Sequence, residues 1–186
     1  MVVLPVTLLS RRRVLQLCAI TAYADVALAN SPTPYEVVGW NALTPPGWDP
    51  LRSFKNLDEM AGLDDSDPRV KKLNERLRQV LDTAPVIASL DGRSIRMSGF
   101  VVPLETSREG LLEFLLVPYF GACIHSPPPA ANQIVHVRSE RPVKGFTAMS
   151  TVWISGVLRV ARTSSEHGAS GYRMKAVLVE PYTGKR

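Results

Sequence analysis

Residues 121–133, GACIHSPPPAANQ, set a thiol and an imidazole two positions apart and stiffen the chain directly behind them. On an extended segment, positions i and i+2 face the same side, so Cys123 and His125 can converge on one centre. A thiolate with an imidazole suits a soft or borderline ion such as zinc or copper. Pro127, Pro128 and Pro129 fix φ and hold Ser126 out of helical geometry, so less entropy is lost when a ligand binds. Asn132 and Gln133 then supply amides able to orient His125, or to bond loop carbonyls that the prolines leave without local partners.

Ligand count is the difficulty. A structural zinc site takes four protein ligands and a catalytic one three, whereas Cys123 and His125 make two. His136 is the third candidate: it alternates with Val135 and Val137 and so should leave the core. His167 and Glu105 are further candidates. Two other readings fit the same residues. Cys123 can be a small buried apolar residue, with His125 bonding the loop in place. It can also be a reactive thiol whose pKa His125 lowers. No residue is placed to orient His125 as a base, so no catalytic or cofactor-binding residue is assigned and an enzyme is not favoured.

The cysteine count sharpens the question. The chain has two, and Cys18 falls in a segment that reads as an export signal. SRRRVLQL is a basic n-region, VLQLCAITAY an apolar stretch, and Ala27-Leu28-Ala29 a small-x-small cleavage site before Asn30. The apolar run is interrupted by Gln16 and Thr21 and broken at Asp25, too short to span a bilayer. Ser10-Arg11-Arg12-Arg13 resembles a twin-arginine signal, with Val14 and Gln16 departing from its pattern, and an ordinary Sec signal fits as well. A periplasmic product without a membrane anchor is expected. There Cys123 would stand without an intramolecular partner in an oxidising compartment.

The remaining elements must position this loop. The 186 residues suffice for one domain, and 45% hydrophobic with 21% charged is ordinary for a globular chain. Three arginines against one aspartate in residues 1–29 take +2 of the formal +5, leaving +3, too little for nucleic acid without a concentrated patch. Residues 30–34 read as a tether and 35–84 as an N-terminal segment carrying one helix. Asp67 is its N-cap, Pro68 opens its first turn, and Val70, Leu73, Leu77 and Val80 recur at helical spacing over 68–83. Trp40 and Trp48 are expected at the edge of the core.

From residue 85 to 186 the pattern is that of strands. An Asp91-Gly92 turn separates two extended runs, and 94–104, 112–119, 133–138, 151–162 and 171–180 are expected to form one antiparallel barrel. In the last run Arg173, Lys175 and Val177 take one face and Met174, Ala176 and Leu178 the other. Gly99 and Gly156 suit the bends that barrel corners need. The fold class is therefore mainly β with one N-terminal helix, a small OB-like barrel, with a β-sandwich as the alternative.

SGFVVPLE (98–105), FLLVPYFGACIHSPPPAANQIVHV (114–137) and VWISGVL (152–158) resemble a bacterial family of exported proteins without an assigned activity. Its hallmark is Cys-x-His, a proline run and Asn-Gln, and the likeness covers most of residues 35–181. The resemblance implies an exported OB-like barrel and, through some relatives, an association with metal transport systems. Two functions follow as expectations. One is a periplasmic accessory protein holding zinc or copper through Cys123, His125 and His136. The other is a non-catalytic adaptor for a transporter or other envelope protein, with the Cys/His loop purely structural. The mature chain should begin at Asn30, which N-terminal sequencing of the exported protein checks. Arg11→Lys with Arg12→Lys should stop export if the twin-arginine route is used.

Overall fold

The structure is a computed structural model that describes residues 35–54, 62–122 and 129–184. The expected signal, the tether and the Cys123/His125 pair lie outside the described residues. Among the described residues six strands are formed: β1 (Glu36–Val37), β2 (Ser94–Ser107), β3 (Gly110–Val117), β4 (Val135–Val143), β5 (Thr151–Ser165) and β6 (Gly168–Pro181). One helix, α1 (Pro68–Asp82), precedes the long strands.

The sheet runs β1-β2-β3-β4-β6-β5 and closes on itself through a β2–β5 pairing. The five long strands thus make a barrel of OB-like connectivity. β2, β3 and β4 form an antiparallel meander, and β5 is antiparallel to both β2 and β6. The seam between β4 and β6 is parallel. This corrects the expectation of uniformly antiparallel pairing, and the cause is arithmetic: neighbours around a closed ring of five cannot all alternate in direction.

Alternation puts Val135, Val137, Tyr172, Met174 and Ala176 inside the barrel. Burying such aliphatic side chains contributes on the order of 1.5–3 kcal/mol each. The expected alternation fails at Leu178, which is 45% exposed. A register shift between Ser155 and Gly156 of β5 moves β6 by one residue there. A Cβ at Gly156 would sit on the Lys175 carbonyl, so only glycine lets the strands approach. At Gly99 a Cβ would lie 2.7 Å from the Val117 carbonyl oxygen, where β2 passes from β5 to β3. Both glycines mark the bends expected of them.

Residues 86–90, expected to be extended, contain a 3-10 turn at Ala88–Leu90 instead. Leu90 N–H donates to Ile87 O and Asp91 N–H to Ala88 O within the turn, and the barrel holds the turn from both sides. Ile87 N–H donates to the Tyr172 hydroxyl (2.7 Å), Gly92 N–H to Leu158 O (2.8 Å), and Val160 N–H to Asp91 Oδ1 (2.9 Å). β4 extends to Val143, past the expected 138, because Val143 still pairs with Leu111.

Helix α1 starts as expected, with Asp67 accepting from Arg69 N–H and Pro68 in the first turn. Its apolar stripe is shallower than the spacing implied. Leu81 is buried in a small cluster with Ala84, Ala131 and Ala169, Leu77 and Trp48 pack against that cluster, and Val70, Leu73 and Val80 remain half-buried. The C-terminal end is fixed by Arg162 of β5, whose guanidinium donates to the Asp82 and Ala84 carbonyls. A cation at this end also complements the helix dipole.

The N-terminal segment is tied to the barrel by polar side chains. The Tyr172 hydroxyl accepts from Ile87 N–H and donates to Leu43 O at 2.8 Å. Gln133 Nε2 donates to Trp40 O (3.0 Å) and Thr44 Oγ1 (2.7 Å), and Trp40 Nε1 donates to Ser98 O (2.8 Å).

Tyr172→Phe strands one donor and one acceptor and should destabilise the protein by about 2 kcal/mol in denaturant melts. Burial pushes the Tyr172 pKa above its ordinary 10.0. The unfolded chain therefore ionises first on the alkaline side. The contribution is complete below pH 10 and drains away as pH rises through the folded value. Stability of the native protein should accordingly fall as pH rises past the ordinary tyrosine value, and Tyr172→Phe, less stable at neutral pH, should show a flatter alkaline loss. Leu77→Asp should cost about 2 kcal/mol by exposing the docked turn to an unpaired charge; an unchanged melting temperature would show that α1 does not dock through Leu77.

Candidate functional site

The stubs of the Cys-x-His segment are described even though its centre is not. β3 leads into Tyr119, Phe120, Gly121 and Ala122, with Gly121 at φ 81°. Gly121 N–H donates to Met149 Sδ at 3.5 Å, so a thioether touches the backbone two residues before Cys123. Met149 has φ 63°, a region that strains a non-glycine residue. It is held there by its N–H bond to Val101 O at 2.7 Å and by the return bond from Val101 N–H to Ser150 O. Phe120 stays 70% exposed and meets Phe100 edge-on at 6.0 Å between ring centres.

On the far side of the loop, the Asn132 and Gln133 amides reach the N-terminal segment. Asn132 Nδ2 donates to Pro85 O (2.9 Å), and the Gln133 amide reaches Trp40 and Thr44. The pair joins the barrel to the N-terminal segment. Asn132 Oδ1 is buried with no partner among the described residues.

His136 lies elsewhere, on the outer wall of the barrel. It points away from Val135 and Val137 as alternation requires, but it is only 5% exposed. Nε2 faces Glu113 Oε1 of β3 at 2.8 Å, and Nδ1 is buried without a partner among the described residues. In parallel register His136 stands beside Arg173, and Arg138 beside Lys175. Arg159 of β5 faces Arg173 across the next pairing. These side chains line a groove of about 760 Å³ that also takes in Arg141 and Glu140.

Burial lowers the His136 pKa below 6.5; Glu113 acts against this, while Arg173 and Arg138 reinforce it. The resting imidazole is thus neutral, with its proton on Nε2. A cation placed at Nδ1 would meet the charges of Arg138 and Arg173, so this histidine is not placed for metal. Glu105 is exposed on β2 opposite Glu113, and His167 occupies the β5–β6 turn beside Glu166 at 3.5 Å. Among the described residues no group of three or more His, Cys, Asp or Glu side chains is close enough to hold an ion. Glu113 escaped the sequence reading, although a single carboxylate inside LLEFLLV was the available signal.

Architecture and site together define a small OB-like barrel with a helix-bearing N-terminal segment and a basic groove on its wall. The chain belongs to the DUF3299 family, a protein family of unknown function, whose model matches residues 40–181. It is similar to the crystal structure, at 2.45 Å resolution, of a DUF3299 family protein from Pseudomonas aeruginosa PAO1. The two are 37% identical with a TM-score of 0.64, over 82% of this chain and 99% of that one. No curated protein matches the chain.

The buried neutral imidazole has a consequence for stability. Below pH 6.5 the unfolded chain takes up the proton first, so stability present above that pH falls as pH drops toward the lower folded value. Thermal melts from pH 7.5 to 5 should show this loss, and His136→Gln should flatten it.

Proposed function

We propose that the protein is an exported, periplasmic accessory protein that works by docking a partner of the cell envelope, such as a transporter subunit. Exposed Phe120 carries this reading. A large aromatic ring stands outside the core at the stub of a proline-stiffened segment, where a partner could bury it at little entropic cost. The rigid barrel behind it, from Phe100 through Val102 and Leu115, gives that ring a firm base. The leader pattern in residues 1–29 supports the address. No helix among the described residues is long and apolar enough to cross a membrane.

A second reading is favoured by Met149. Its thioether at the foot of the segment adds a soft donor to the thiolate and imidazole of Cys123 and His125, a combination suited to copper more than to harder ions. The two readings are separable. Elemental analysis of protein purified from the periplasm should find stoichiometric metal under the second, lost in Cys123→Ser and His125→Ala. Under the first, a photo-crosslinking residue at 120 should capture one envelope protein that the same residue at Arg76 does not. Fractionation that leaves the chain in the cytoplasm would end both.

A further inference from the structure

The groove on the wall of the barrel is separate from the loop and carries its own chemistry. Two like-charged pairs sit in register there, Arg173 with Arg159 and Arg138 with Lys175. Like charges directly opposite on a sheet destabilise it, and little on the protein offsets them. Lys175 reaches Glu140 at 2.9 Å and Arg159 reaches Asp91 at 3.6 Å, while Arg138, Arg141 and Arg173 have no ion-pair partner among the described residues. In the same groove His136, with 6% of its side chain exposed, keeps Nδ1 without a partner. A buried polar atom left unpaired destabilises the fold. Repulsion and the unpaired nitrogen are relieved together by one kind of ligand.

We propose that this groove binds a small polyvalent oxyanion, a phosphate- or carboxylate-bearing molecule, through Arg173, Arg138, Arg159 and His136. Arginine forks match such oxygens two at a time. The volume of about 760 Å³ falls in the range of small-molecule sites. His136 contributes as a donor once Nδ1 is protonated. Glu113 on β3 then faces the imidazolium through Nε2, while Arg138 on β4, Arg173 and Lys175 on β6 and Arg159 on β5 oppose its charge until the anion arrives. The proton comes from solvent, or from an acidic hydroxyl of the ligand, and ends shared between Nδ1 and a ligand oxygen. Binding and proton uptake are thereby linked. This proposal is independent of the docking and metal readings of the loop.

The experiment is calorimetric titration of the mature protein with three probes at low ionic strength: inorganic phosphate, citrate, and sulfate, whose charge is constant between pH 8 and 6. Saturable binding of at least one probe at one site per chain is expected, with acetate binding far more weakly. Arg173→Gln, on an exposed position that the fold does not need, should weaken it roughly tenfold or more. Sulfate affinity should rise toward pH 6 by up to roughly tenfold per pH unit, with proton uptake visible as a dependence on buffer ionisation heat. His136→Gln should remove that dependence. Preference for phosphate or for citrate assigns the ligand's acid group. Absence of saturable binding by all three probes overturns the proposal, as does binding that Arg173→Gln leaves intact. Sulfate binding without proton uptake overturns the part given to His136.

Discussion

Closing five strands into a ring forces one parallel contact, and the chain places it between β4 and β6. The basic groove and the Tyr172 tie are both arranged about that seam. Pairing of Val135–Ser139 with Tyr172–Ala176 in parallel register sets inward residues beside inward ones and outward beside outward. On the inner side the seam delivers Tyr172, whose hydroxyl reaches Ile87 and Leu43. On the outer side the same register aligns His136 with Arg173 and Arg138 with Lys175. A shift of one residue would exchange the two sets and destroy both.

The seam also ends early. Beyond Ser139 and Ala176, β4 returns to β3 through Val143 and Leu111, while β6 continues along β5. The strands diverge, and the groove runs along the outer side of the seam to that point. Its charged lining is therefore carried on strands fixed by ladders on their other sides, a rigid mounting of the kind that binding sites need.

Much of the barrel was legible because its signals are local. Met174 and Ala176 against Arg173 and Lys175 announce a two-sided strand, Gly99 and Gly156 announce bends, and Asp67-Pro68 announces a helix start. What escaped depends on neighbours distant in sequence. The parallel seam, the Tyr172 and Gln133 hydrogen bonds, and the Glu113–His136 pair each join residues that no local pattern connects. Residues 86–90 looked extended because they are mostly apolar, and the hydroxyl that anchors their turn belongs to Tyr172 of β6. His136 was expected outside the core, and it is, but Leu115 and the arginine stems around it were not foreseeable from alternation.

Arg162 gives α1 an unusual dependence. A helix of 15 residues is marginal by itself in water, and its terminal carbonyls at Asp82 and Ala84 receive their donors from β5. Those donors are in place only once β5 has folded. The last turn of the helix thus leans on β5 as well as on its own cap, in which Thr83 N–H and Oγ1 donate to Gln79 O. Its amides, over residues 79–82, should exchange with deuterium at the rate set by opening of the barrel, while the first turn, held by Asp67 alone, exchanges independently and faster.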